Sequence, residues 1–174
     1  GISMGMTEVV YNKPIAVGMC ILDISKICMY KFHYEVMKPM YGDKIKLILT
    51  DTDSLIYHIE TDDLYDDLKD INVQYFDTSN YNKNHPLYNM SNKATQGFFK
   101  DEMGGLLMVE IIGIRSKMYS YVVDSETGVA EKHIKLKGIK RSCVENDITH
   151  HDYRDCITGN RYFQQHSFNT IRSI

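Results

Sequence analysis

Apolar positions fall at helical spacing from Pro14 to about Lys38. Val17, Ile21, Ile24 and Cys28 form one stripe at i, i+4, i+7 and i+11, and Leu22, Met29 and Val36 form a second, seven apart. A helix apolar on two sides is normally buried between layers, so the pattern predicts a long internal helix. Asn12 would cap it, Pro14 would sit in its first turn, and Pro39 and Gly42 would end it. The period then drops to two. Ile45, Leu47 and Leu49 alternate, then Leu55, Tyr57 and Ile59, which predicts a hairpin over residues 44–60 with Asp51, Thr52, Asp53 and Ser54 at its tip. A short acidic helix capped by Thr61 follows. Residues 70–94 have no period and read as a long loop. Beyond them a meander is expected: strands over 95–102 and 106–114 joined at Gly104-Gly105, then strands over 117–123 and 131–139 joined through 124–128. After Asp147 the pattern is helical again, with Thr149 as a cap. These elements make an α+β fold, an antiparallel sheet packed on a long helix.

The 174 residues suffice for one domain with a real core, and 43% hydrophobic with 25% charged content is ordinary for a soluble globular protein. No apolar run approaches the ~18 to 20 residues of a membrane span. The first residues lack the charged-then-apolar pattern of a signal peptide. Neither end has the character of a natural boundary, and the chain reads as a piece of something longer. Cys20 and Cys28 on one helix would lie roughly 12 Å apart, beyond the ~7 Å limit for a bridge. Cys143 and Cys156 have no zinc-like spacing. Buried free thiols in an intracellular, reducing compartment are therefore expected. Charge divides unevenly. Residues 1–110 carry 10 Lys and Arg against 16 Asp and Glu, while residues 111–174 carry 10 against 7. An acidic half able to hold metal and a basic half able to hold phosphate suit a nucleotide or nucleic-acid enzyme.

Three constellations could carry chemistry. In extended chain, Asp51 and Asp53 point the same way and could face one cation, with Thr52 and Ser54 shaping the turn. Carboxylates suit Mg²⁺ or Mn²⁺, and Mg²⁺ typically takes one or two carboxylates plus substrate phosphates. A plain Asx turn is the alternative. On one strand, Arg115, Lys117, Tyr119 and Tyr121 would share a face, and cations interleaved with aromatics can grip phosphate and pack on sugar or base. An ordinary exposed strand face is the alternative. Lys132, Lys135, Lys137, Lys140 and Arg141 form a basic cluster that could position a nucleic-acid backbone, or simply a solvated edge. The His150-His151 pair reads as helix-start polarity.

The order of these pieces resembles the palm of family B DNA polymerases, most of all the protein-primed branch of viruses and large self-synthesising transposons. Tyr11-Asn-Lys-Pro-Ile-Ala-Val-Gly-Met-Cys-Ile-Leu-Asp-Ile-Ser-Lys26 looks like the palm helix before the third catalytic motif. Asp51-Thr-Asp-Ser54 looks like that motif, and Arg115-Ser-Lys-Met-Tyr119 like the family's Lys-x-Tyr motif. Lys137-Gly-Ile-Lys-Arg-Ser142, then Thr149-His-His-Asp-Tyr153, look like the passage from palm to thumb. The likeness runs over residues 10–157 and implies a partial palm over 1–143 and the start of a thumb over 144–174. It implies that Asp53 binds catalytic Mg²⁺ or Mn²⁺, with Asp51 its weaker neighbour. Lys117 and Tyr119 would hold the primer terminus, and Arg115, Lys137 and Lys140 would contact DNA. The implied reaction is template-directed attack of a primer 3′-hydroxyl on a deoxynucleoside triphosphate. The implied partners are primer-template DNA, the triphosphate, a terminal protein primer, and the rest of the polymerase chain; no membrane is involved. Leu49 stands where the family usually has an aromatic residue. The family's other metal-binding aspartate and its triphosphate-gripping helix have no counterpart here, so the isolated chain is expected to be inactive.

Other classes remain open. One is a degenerate transposon-derived relic that only binds nucleic acid. Another is an Asp-x-Asp phosphatase of the haloacid dehalogenase type, which expects a parallel sheet. A third is an Asp-x-Asp glycosyltransferase, which expects a nucleotide-binding βαβ region ahead of the motif.

Overall fold

The computed structural model describes residues 12–124 and 131–159. Helix α1 (Ile15–Lys31) runs without a break into a π-helical segment (Phe32–Met37) and a last α turn, α2 (Lys38–Tyr41). Asn12 is not the cap; Pro14 occupies the N-cap position with no side-chain bond. Nor does Pro39 end the helix. Proline cannot donate to the carbonyl four residues back and crowds it, and the wider π turn, in which the Lys38 N–H reaches His33 O, takes up that mismatch. Gly42, at φ 58°, is the true stop.

The hairpin forms as the alternation predicts, with β1 (Ile45–Asp51) antiparallel to β2 (Ser54–Ile59). Its register shifts between Leu47 and Leu49. An extra residue in one strand reverses the faces beyond it. Ile45 therefore packs with Phe32, Met37 and Tyr41 against Leu55, Tyr57 and Ile59. Leu49 packs on the other side, with Ile56, against Tyr119, Tyr121 and Val123. The expectation that Ile45, Leu47 and Leu49 share one face is corrected by this bulge.

The antiparallel sheet thus packs on the long helix in part only. The C-terminal stretch from Phe32 to Tyr41 joins the core. Met29 is the one buried residue of α1, while Ile15, Met19, Ile21 and Ile24 are each at least 60% exposed. The predicted burial of this helix between two layers is not met within the described residues.

Residues 70–94 are not a single loop. Asp63, rather than Thr61, caps α3 (Leu64–Asp67) by accepting from the Tyr65 and Asp66 N–H groups, and α4 (Lys69–Tyr75) and β3 (Phe76–Asp77) follow. Side chains then replace periodic backbone pairing. Thr78 Oγ1 and Asn72 Nδ2 donate to Leu87 O, Asp77 accepts from the N–H groups of Ser79 and Ala94, and the buried Tyr81 donates to Asp101. Strand β4 (Phe99–Lys100) pairs in parallel with β3, so Gly104-Gly105 does not join paired strands as predicted.

The second antiparallel sheet has the order β5 (Met108–Arg115), β6 (Met118–Val123), β7 (Glu131–Leu136). The predicted connection through 124–128 lies largely outside the described residues. Helix α5 (Arg141–Asn146) follows. Helix α6 (His150–Thr158) opens with a capping box between Thr149 and Asp152, as Thr149 predicts. Cys143 is buried, but Cys20, Cys28 and Cys156 are exposed, against the expectation of buried thiols; all four are free. No helix among the described residues is long and apolar enough to cross a membrane.

Candidate functional site

Two hairpin tips meet. The β1–β2 tip is tight. Asp51 pairs with Ser54, the Asp53 N–H donates to Asp51 O across 2.7 Å, and Ser54 Oγ donates to the same carbonyl at 3.2 Å. That closure over three residues is a γ-type turn, and it holds Thr52 at φ 58°. A β-branched residue there is strained. Asp51 and Asp53 are therefore not successive same-face residues of an extended strand, as the sequence suggests.

The facing tip joins β5 to β6 through Ser116 and Lys117, with Lys117 also left-handed at φ 61°. Its ammonium donates to Asp51 Oδ1 at 2.8 Å and to Thr52 Oγ1 at 2.7 Å. Ser116 Oγ stands 3.5 Å from Asp51 Oδ1, and the Tyr119 hydroxyl 3.4 Å from Asp51 Oδ2. The bulge in β1 makes this possible, because it turns Leu49, and with it Asp51 two residues on, toward the second sheet. Gly113 permits the approach: a Cβ there would stand 3.1 Å from Leu49 Cδ1. The hydrogen bond from Lys117, helped by those from Thr52 and Tyr119, holds the Asp51 carboxyl below its ordinary range against a smaller opposing effect of burial. Burial, then the negative charge of Asp51, pushes the Tyr119 hydroxyl up to about 12.

Asp51, Thr52, Lys117 and Tyr119 thus come together as one cluster, with Ser116 as a member that no sequence signal marks. Ser54 braces the turn from below. Asp53 is exposed at the tip and is tied to the cluster through its backbone N–H to Asp51 O. Arg115 ends β5, while Lys117 lies in the turn and Tyr119 on β6, so the predicted shared strand face does not exist. Tyr119 and Tyr121 stack 6.3 Å apart but are both 7% exposed, so their rings form core and not an open stacking platform.

The basic segment completes the surroundings. The Lys137 N–H donates to Lys117 O at 3.1 Å, tying the end of β7 to the Lys117 turn. An open groove of about 360 Å³ runs from Asp51 and Lys117 past Lys135 and Lys137 to Arg141. Lys140 stands at the start of α5. Among the described residues no three His, Cys, Asp or Glu side chains converge as a metal cage. Of the two carboxylates, that of Asp53 is exposed at the tip, while that of Asp51 is engaged by Lys117 and Tyr119; Mg²⁺ typically takes one or two carboxylates, with phosphates filling the rest of its shell. Compared with protein-family models, curated proteins and solved structures, the chain has no match.

Proposed function

We propose that the chain is the palm region of a family B DNA polymerase of the protein-primed viral or transposon type, leading into its thumb. One observation carries the reading: Lys117 of the Lys-x-Tyr segment bonds Asp51 of the Asp-x-Asp turn, 66 residues away. Two motifs that the polymerase likeness assigns to a single site are thus neighbours. The second β strand directly after Asp53 also suits a palm hairpin better than a haloacid dehalogenase sheet.

In this reading Asp53, with Asp51, holds Mg²⁺ or Mn²⁺. The metal, when bound, activates the primer 3′-hydroxyl and stabilises the leaving oxygen. Lys117 orients Asp51 and, with the hydroxyl of Tyr119, lies beside the primer terminus. Lys135, Lys137 and Arg141 line a cationic groove for the DNA backbone, with Arg115 and Lys140 at its margins; such contacts position without reading sequence. The substrates are primer-template DNA and deoxynucleoside triphosphates, with a terminal protein as primer. The exposed apolar side of α1 is a surface for the rest of a polymerase chain to cover, since a helix apolar all round is stable when buried.

The test is primer-template binding by fluorescence anisotropy across a salt series. The chain should bind DNA without extending a primer. Lys117→Ala and Lys137→Ala should each weaken binding and flatten the salt slope by about one unit. Asp53→Ala should leave binding largely intact, and in a chain that supplies the second metal-binding aspartate it should abolish synthesis. Absence of DNA binding, or equal loss in all three variants, sinks the reading. Binding that never gains synthesis in the longer chain identifies a nucleic-acid-binding relic.

A further inference from the structure

Strand β6 is committed on both faces. Tyr119 turns its hydroxyl toward Asp51, and the next residue, Ser120, is fully buried on the opposite side. Ser120 Oγ lies 2.9 Å from His133 O and 2.7 Å from His150 Nδ1. A hydroxyl has one hydrogen and a carbonyl can only accept. One assignment satisfies both contacts: Ser120 donates to His133 O, and His150 Nδ1–H donates to Ser120.

That assignment leaves a lone pair on His150 Nε2 whenever the ring is neutral. Nε2 is buried without a hydrogen-bond partner, and what faces it is Glu110 Oε2, 3.3 Å away but off the bonding direction. A lone pair against a carboxylate is unfavourable. A second proton turns the same approach into a charge-assisted contact that small movements can align.

Helix α6 rests on all three strands of the sheet around this point. Arg154 holds Glu110 of β5 through both carboxylate oxygens, at 2.8 and 2.6 Å, and the Tyr153 hydroxyl donates to Lys135 O of β7 at 3.1 Å. The other charged groups nearby are Lys132, exposed on the same sheet face by its register with Val122, and the His151–Asp155 pair on α6 itself. Lys132 is open to solvent and screened, whereas Arg154 pairs with the same Glu110 oxygen that faces the imidazole, so Glu110 is the charged group that meets the ring directly.

We propose that His150 is a proton-dependent latch: a second proton on its ring tightens α6 onto the β5–β6–β7 sheet, and loss of that proton loosens it. The latch is independent of the polymerase reading and of the Asp51 cluster.

Amide hydrogen exchange on the 174-residue chain tests it, with residues 150–158 followed from about pH 8 to about pH 5, where histidine changes charge. After correction for intrinsic rates, protection of α6 should rise roughly tenfold toward acid, the size of one charge-assisted hydrogen bond. The rise should vanish in His150→Gln and shrink in Glu110→Gln. A flat wild-type profile, or an unchanged rise in His150→Gln, overturns the latch. Should that variant fail to fold, nitrogen chemical shifts of the wild-type imidazole decide. The Nδ1–H tautomer at high pH supports the latch, and the Nε2–H tautomer refutes it.

Discussion

Lys117 Nζ lies 2.8 Å from Asp51 Oδ1 and 2.7 Å from Thr52 Oγ1, so one ammonium bridges the carboxylate and the hydroxyl of a strained turn on another hairpin. The Asp51 carboxylate is 16% exposed and the Lys117 side chain 42%, so the pair is partly shielded at one end and open at the other.

That geometry sets an acid-side prediction. The Asp51 pKa is lowered below 3.8, first by the Lys117 hydrogen bond. A depressed folded-state value means that the contribution is present above 3.8 and lost as pH falls through the lower, folded value. Lys117→Met should remove most of this dependence. Urea midpoints compared at neutral pH and below 3.8 would show a smaller acid loss in the variant; an identical loss would mean that Asp51 draws nothing from Lys117.

The alkaline side runs the other way. Tyr119 is raised from 10.0 to about 12 by burial and by Asp51. The stability it contributes is complete below 10.0 and lost as pH rises through about 12. Asp51→Asn should bring the Tyr119 ionisation back toward 10.0, read by ultraviolet difference titration against a Tyr119→Phe control.

Gly113 gives a packing prediction. A methyl there meets Leu49 Cδ1 at 3.1 Å, and the end of Leu49 can shift by a few tenths of an ångström. Gly113→Ala should therefore be mild. Gly113→Val should cost about 1–3 kcal/mol by overpacking and drive the two hairpins apart. Chemical denaturation would measure the cost. Loss of the acid-side dependence in the same variant would show that the Asp51–Lys117 contact depends on this fit.

Thr52 gives a strain prediction. Its φ of 58° suits glycine, not a β-branched side chain. Thr52→Gly should gain about 1 kcal/mol from relieved backbone strain, less the lost hydroxyl contact, and raise the melting temperature. Thr52→Val keeps the strain and loses the contact, so it should lower it. The opposite order would remove strain from the account of this turn.

Much of this was legible in the sequence. The period-two runs located the β1–β2 hairpin, and the turn chemistry between them located Asp51. Thr149 announced α6 by its capping pattern. Composition could not show that two residues after Thr61 a better acceptor, Asp63, takes the cap. Nor could periodicity reveal order in 70–94, because Asn72, Thr78 and Asp77 bond backbone groups far along the chain and leave no repeat. His150 does open α6, as its helix-start polarity suggests, but its burial stayed hidden for the same reason. Its partner Ser120 is 30 residues away, and the only local hint was a serine inside the apolar run of β6. The apolar stripes on α1 predicted burial between layers, and among the described residues they are instead largely exposed, because spacing reports which side is apolar and not what packs on it.

The bulge between Leu47 and Leu49 makes the hairpin a parity device. Side-chain direction along a strand alternates, so inserting or deleting one residue between Ile45 and Asp51 reverses which sheet the acidic tip addresses, while a change of two restores it. Length variation in this strand should therefore be tolerated in even steps and not in odd ones. Removing Ile48 alone should turn Asp51 away from Lys117 and leave every titratable group of the site chemically unchanged.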